Sequence, residues 1–286
     1  MSPPDPHRPP ATDHRPLNAL TIDFEDWYQG LEIPHTRWDE FEERIVPAGR
    51  HLLAVLAETG TRATFFVLGW VAERYPALVR EIAAAGHEIA THGWSHSFVY
   101  RMERGAFRDE LSRSIALLRE LAGQPILGHR APFFSITRES LWALDVMGEL
   151  GLRYDSSIYP VLNYRYGISD AERWPHAVAA GGTTLLEFPI STWRLWGRNV
   201  PIAGGAYFRI FPYAVTRHAF RSINREGHPA VFYLHPWEID PRHPRIRLPR
   251  RIAMTHYANL PATLGRLRRL LRDFRFAPMR EVLNVG

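Results

Sequence analysis

Ile22-Asp23-Phe24-Glu25-Asp26 closes an apolar run that starts at Asn18 and puts three carboxylates at its end. Four more polar clusters follow apolar, strand-like runs in the same way. They are Thr91-His92-Gly93-Trp94-Ser95-His96, Gly128-His129-Arg130-Ala131-Pro132, Tyr154-Asp155-Ser156-Ser157 and Leu234-His235-Pro236-Trp237-Glu238. A parallel β/α barrel gathers the C-terminal ends of its strands on one face, where its chemistry sits. Carboxylates, a His pair, an Arg and a lone His arriving there in turn read as one metal-hydrolase site.

Outward from these clusters, strand and helix alternate. Strands are expected at Asn18–Asp23, Ala63–Leu68, His87–Thr91, Ile126–His129, Leu152–Tyr154, Leu185–Pro189 and Ala230–Leu234. Helices are expected at Asp39–Gly60, divided or kinked by Pro47, and at Trp70–Ala85, Gly105–Ala122, Thr137–Leu150 and Pro212–Arg225. This rhythm predicts α/β architecture with a mainly parallel sheet. Residues 163–182 read as a long loop, and Gly204–Arg209 as a mobile substrate loop. Pro241–Arg251 is rich in Arg and Pro, and Leu260–Phe274 reads as a basic amphipathic helix, most simply a packed terminal element with a solvated Arg face.

Composition narrows the chemistry. The 286 residues, 45% hydrophobic, suffice for one large catalytic domain. With no Cys there is no disulfide, thiolate nucleophile or Cys-held zinc, so a transition metal must be held by His and carboxylate. With no Lys there is no Schiff base and no Walker-type phosphate lysine. A net charge of +5 is compatible with anionic glycans, nucleic acid or an anionic membrane, but the arginines are dispersed apart from the C-terminal cluster, which argues against nucleic acid. The Pro-rich stretch 1–17 is expected to be a disordered lead. It has no apolar core of a signal peptide, and no run of ~20 apolar residues occurs. The simplest expectation is therefore a cytoplasmic protein, with the inner membrane face as a second place of action.

His92 and His96 lie four apart, so one helical turn would put both rings on one face, and a carboxylate as third ligand would leave room for water or substrate. Three carboxylates within four residues call for a compensating cation, such as a divalent metal or a nearby Arg. Arg130 before Ala-Pro suits a partner that aims a catalytic carboxylate. His235, emerging from a buried strand, suits a general acid if Asp155 orients it.

These residues resemble the polysaccharide deacetylases of the NodB-homology type, the carbohydrate esterase family 4 group with a distorted (β/α) barrel. The nearest likeness is to the branch found in exosortase-linked exopolysaccharide loci. The motifs that carry it are Leu20–Asp23, Ala63–Gly69, Gly86–Ile89 leading into His92–His96, Arg130–Ser135, Asp155–Ser157 and Leu234–Glu238. They run in family order over nearly the whole chain, with a catalytic barrel at 18–240 and a C-terminal basic, helical extension at 241–286 packed on it.

The resemblance implies Asp23 as general base, His92 and His96 as metal ligands, Arg130 as the tether of Asp23, His235 as general acid and Asp155 as its orienter. The family pairs two aspartates side by side, whereas Phe24 follows Asp23 here, so the third ligand falls to Glu25 or Asp26. Strand alternation favours Glu25. A kink at the strand end favours Asp26, the shorter ligand that the family uses, and the balance tips to Asp26. Pro132, Phe133, Tyr207 and Trp237 are candidate substrate contacts, with Trp27 and Trp94 as further aromatics near the motif loops, and a backbone N–H near Phe133 would stabilise an oxyanion.

The implied reaction is removal of N-acetyl groups from amino sugars of a bacterial exopolysaccharide or its precursor. The implied cofactor is a divalent metal, zinc first, with cobalt, nickel or manganese as options. The partner is an acetylated glycan. The competing readings are another C–N hydrolase acting on a cyclic amide or ureide, and a non-catalytic glycan-binding protein of an export system.

Overall fold

The structure is a computed structural model that describes residues 16–286, so all of the expected Pro-rich lead except residues 16 and 17 lies outside the described residues. The strands are β1 (Leu17–Phe24), β2 (Thr64–Val67), β3 (Glu88–Thr91), β4 (Gly128–His129), β5 (Tyr154–Asp155), β6 (His176–Ala180), β7 (Thr183–Glu187), β8 (Thr192–Leu195), β9 (Arg198–Pro201), β10 (Val231–Leu234) and β11 (Arg275–Ala277). The helices are α1 (Ile45–Glu58), α2 (Gly69–Arg74), α3 (Pro76–Ala84), α4 (Arg104–Ala122), α5 (Trp142–Glu149), α6 (Gly205–Ile210), α7 (Tyr213–Arg225), α8 (Arg250–Tyr257), α9 (Leu260–Asp273) and α10 (Met279–Leu283).

The main sheet runs β10-β1-β2-β3-β4-β5-β7-β6. Every neighbour pair is parallel except β6 with β7. β11 also pairs with the start of β1, so residues beyond 240 enter the sheet. The expected α/β architecture is present with a barrel-like core, although the strand ladder of the described residues does not close into a full barrel.

Period-two alternation sorts the strand side chains onto two faces. Leu20, Ile22 and Phe24 of β1 join Leu52, Val55, Leu118 and Phe220 from the helices in the largest apolar cluster. Ala19, Phe66, Ala90, Tyr154, Phe188 and Val231 form a second cluster on the opposite, inner face. Asp23 therefore shares the inner parity of Ala19, while Asp155, next to Tyr154, takes the outer one.

Several elements differ from expectation. Pro47 does not kink a helix, because α1 begins at Ile45 and Pro47 falls in its first turn, where its missing N–H has no partner to lose. The helix expected at 70–85 is two helices, with Pro76 opening the second. The loop expected at 163–182 contains β6, and the expected mobile loop at 204–209 is mostly helix α6 with Phe208 and Arg209 buried.

Close packing fixes some backbone positions. A Cβ on Gly128 would lie 1.9 Å from the Tyr154 ring, whose hydroxyl donates to Glu88 Oε1 at 2.9 Å. Gly128→Ala should therefore cost about 1–3 kcal/mol by overpacking, with roughly 2–4 °C lost from Tm per kcal/mol. Thermal unfolding measures this, and an unchanged Tm would mean that the Tyr154 ring yields freely.

Candidate active site and metal centre

Asp23 and Glu25, two residues apart at the end of β1, both enter one cleft, while Phe24 between them packs on the helix side. Glu25, His92 and His96 each offer one ligand atom, all within 4.8 Å of one another. Burial works against the Glu25 charge, but His96, His235 and His92 outweigh it and hold its carboxyl at about 2. His92 donates from Nδ1 to the Arg130 carbonyl at 2.7 Å, which leaves the Nε2 lone pair turned to the Glu25 side. Burial, more than any neighbour, pushes His92 down to about 4, which favours the neutral, ligating imidazole.

The two rings do not meet through a helical turn. Gly93 (φ 75°) and His96 (φ 53°) take left-handed conformations that fold the loop back, bringing the ring centroids to 5.3 Å in an edge-on arrangement. His96 Nε2 reaches Glu25 Oε2 at 2.5 Å. Two imidazoles and a carboxylate converging in a buried site form a donor set suited to a divalent transition metal, and the three residues fit that group.

Asp26 stands apart from this set, contrary to the expectation that it would be the third ligand. Its Oδ2 accepts the backbone N–H groups of Arg44 and Ile45, and its Oδ1 that of Trp27. It therefore caps the start of α1 from a distant part of the chain. Desolvation outweighs these three donors and raises its carboxyl to about 6. Alternation past the strand end separates the neighbours, with Glu25 on the inner face and Asp26 on the outer.

Arg130 is fully buried and pairs with Asp23. Its Nη1 donates to Asp23 Oδ1 (2.7 Å) and Thr21 Oγ1 (2.8 Å), its Nε to the Ser156 carbonyl and its Nη2 to Ser156 Oγ. The Phe66 ring packs 4.3 Å from its guanidinium carbon. His235 Nε2 faces Asp23 Oδ2 at 3.9 Å and Glu25 Oε1 at 3.6 Å.

His235 is not oriented by Asp155. Its Nδ1 donates to Glu238 Oε1 at 2.7 Å, and Glu238 in turn accepts from Arg209 Nε at 2.5 Å. Burial alone would push His235 down, but the Glu238 hydrogen bond and the charges of Glu25, Glu238 and Asp23 prevail and lift it to about 9. Asp155 binds His129 Nδ1 at 2.7 Å and Ser157, on the outer face. Beside it, burial and the Asp155 charge push the Glu187 carboxyl well above the usual range. The two-residue strand β5 hid its own parity, which is why the sequence pairs Asp155 with the wrong histidine.

A cleft of about 400 Å³ opens above Asp23, Glu25 and His235. Phe133, Tyr207 and Trp237 line it as expected, with Phe133 held at φ 56° and edge-on to His96 at 4.3 Å. Pro132 does not line it and packs in a small pocket behind the His96 loop. Trp27 is core, and Trp94 is buried under Arg113. Sequence reasoning missed Glu238, Arg209 and Arg165. Glu238 lies three residues after His235, a spacing that a single tight turn brings together. A buried Arg209 needs a carboxylate partner, and Glu238 supplies it. Arg165, beside Phe133 at 4.7 Å, sat in a stretch with no periodic signal.

Residues 38–154 match the polysaccharide deacetylase family model, and residues 156–284 match a second model described as a domain of unknown function, DUF3473. The chain is 33% identical over 95 residues to a peptidoglycan-N-acetylglucosamine deacetylase of Bacillus cereus, covering 33% of this chain and 34% of the relative. It spans between about a third and a half of the length of the first curated relatives it matches.

Among solved structures, a probable polysaccharide deacetylase from Pseudomonas aeruginosa PAO1 shares the fold at TM-score 0.64 and 19% identity, over 99% of this chain and 93% of that one. Puue allantoinase does so with the same values. Residues 38–154 are thus similar to the polysaccharide deacetylase family, and the solved structures show the same fold. The exosortase-linked branch is not distinguished by these matches.

The two adjacent carboxylates should separate in experiment. Glu25→Ala should abolish zinc uptake after reloading. Asp26→Ala should bind zinc normally but lose about 0.5–2 kcal/mol of stability through the uncapped start of α1. Metal analysis and thermal unfolding on both variants read the two effects, and zinc loss in the Asp26 variant alone would reverse the assignment.

Proposed function

We propose that the protein is a metal-dependent deacetylase that hydrolyses N-acetyl groups of amino sugars in a glycan. The single observation that supports this most is the convergence of Glu25, His92 and His96 within 4.8 Å, facing Asp23 and His235. The finer reading, a bacterial exopolysaccharide or its precursor as substrate, rests on the motif resemblance to the exosortase-linked branch. Zinc is the first candidate for the metal, and a cytoplasmic location or the inner membrane face remains part of the same proposal.

A divalent ion held by Glu25, His92 and His96 would supply Lewis acidity towards the acetyl carbonyl. Asp23, held by Arg130, accepts the proton of the attacking water as the C–O bond forms. The backbone near Phe133, fixed in its left-handed turn, offers an N–H towards the developing oxyanion. His235 is held protonated by Glu238 and the neighbouring carboxylates, and it donates its Nε2 proton to the departing amine nitrogen as the C–N bond breaks. Acetate and a free amino sugar result. Arg209 fixes Glu238, and Glu238 fixes the ring of His235.

A cyclic amide or ureide hydrolase is the second reading, since Puue allantoinase shares the fold. The Glu-His-His set beside a protonated His235 fits amide cleavage in general. The open cleft lined by Tyr164, Tyr166 and Tyr207 favours a sugar chain over a small ring.

Acetate release from acetylated chito-oligosaccharides and peptidoglycan fragments, compared with hydrolysis of allantoin, tests the reading. His235→Ala should lower kcat by about 10²–10⁴-fold with metal content unchanged. Glu238→Ala should lower kcat with little change in KM, and Glu238→Gln, which keeps an acceptor for Nδ1–H, should recover part of the loss. Turnover of the ureide without acetate release from any glycan would overturn the proposal.

A further inference from the structure

The charge of the chain is unevenly placed. Between positions 241 and 272 stand nine arginines and no acidic residue, whereas the rest of the sequence holds 26 arginines against 30 acids. Five of the nine, Arg242, Arg245, Arg247, Arg250 and Arg251, fall in the stretch leading into α8, and all five are exposed. Among the described residues none of the five forms an ion pair. Arg245 instead lies over the Tyr257 ring and Arg251 over the Tyr164 ring, at 5.1 and 5.3 Å. An unpaired run of this kind is a positive field with nothing in the fold to neutralise it.

This basic stretch borders the cleft. Arg251 and Met254 of α8 line its mouth, and the Arg251–Tyr164 contact links α8 to the loop on the other side. The same rim carries apolar side chains that point into solvent. Leu162 is 91% exposed, Tyr164 75% and Met254 62%. These three are half of the large hydrophobic residues exposed among the described residues; Tyr164 and Met254 line the opening, and Leu162 stands two residues before Tyr164 in the same loop.

We infer that the rim of the cleft docks on an anionic lipid bilayer, with Leu162, Tyr164 and Met254 entering the headgroup layer and the 242–251 arginines meeting lipid phosphates. Exposed aliphatic and aromatic tips among unpaired cations match the interfacial chemistry of peripheral membrane binding. A polyanionic glycan would use the arginines but would gain nothing from a protruding Leu and Met, so the apolar tips favour a bilayer. No helix of the described residues is long and apolar enough to cross a membrane, and this mode of binding requires none. The cleft then opens towards the bilayer surface, and a substrate carried there reaches Asp23 and His235 without leaving it. The docking itself does not depend on the deacetylase reading.

Cosedimentation of the full chain with vesicles tests this, in about 0.15 M and about 1 M salt. Phosphatidylcholine alone is compared with a phosphatidylcholine–phosphatidylglycerol mixture. Binding is expected to the anionic vesicles only, and to be lost at high salt. Arg247→Glu with Arg250→Glu should weaken it by about tenfold or more, and Leu162→Asp with Met254→Asp by a similar factor. Arg80→Glu with Arg119→Glu makes the same change in net charge on α3 and α4 and should bind as the unaltered chain does. Equal losses in the rim and control variants would overturn the inference, as would absent or charge-independent vesicle binding. Binding of soluble heparin without vesicle binding would also overturn it and make the face a glycan site.

Discussion

The buried pair between Arg130 and Asp23 is the constraint on which the rest of the site depends. Arg130 has no route to solvent, so each of its donors must find an acceptor inside the protein. Those acceptors come from Thr21 and Asp23 on β1 and from Ser156 after β5, with the Phe66 ring of β2 packed against the guanidinium. One cation therefore fixes the relative positions of strands far apart in sequence. Removing it would leave Asp23 buried and unpaired, a change of about 3–5 kcal/mol in comparable cases. The Arg130 carbonyl also accepts from His92, so the same residue that aims Asp23 sets the tautomer of a proposed metal ligand.

The site straddles the boundary between the two matched segments. Glu25 and Asp23 precede both, His92, His96 and Arg130 lie in the deacetylase segment, and His235, Glu238 and Arg209 lie in the segment of unknown function. That second segment also forms much of the cleft rim through α6 and α8. On this geometry its part in the molecule is to carry the proposed proton donor and to shape access, while the first segment holds His92 and His96, two of the three proposed metal ligands. Neither half contains a complete reaction site.

The strand-end motifs made most of the fold legible, because an apolar run followed by polar residues marks a buried parallel strand whose C-terminal end reaches the active face. The hairpin β8–β9 and strands β6 and β11 gave no such signal. Trp193, Arg194, Asn199 and their neighbours are half exposed and lie outside the central sheet, so no apolar pattern is imposed on them. The residues of the site were legible by type, and the pairings were less so. His92 and His96 were recognisable as a pair, but not the left-handed backbone at Gly93 and His96 that joins them.

Parity explains both misplaced carboxylates. In β1 the inner face holds Asp23, so Glu25 must face inward and Asp26 outward unless the strand breaks, and the structure keeps that order well enough for Asp26 to reach the start of α1. The strand argument was available in the sequence and was outweighed by family habit. At β5 no such argument existed, since a strand of two residues fixes no phase of its own. There the phase comes from packing. The bulky Tyr154 fills the inner face against Phe66 and Gly128, which turns Asp155 outward to His129 and leaves His235 without it. Glu238 takes the vacated role because a 3₁₀ turn after His235 returns a longer carboxylate to the same ring nitrogen, and Arg209 supplies the buried counter-charge which that carboxylate needs. The orienting function has thus moved from a neighbouring strand to a local turn, and it needed only an acid at the third position and an arginine on α6.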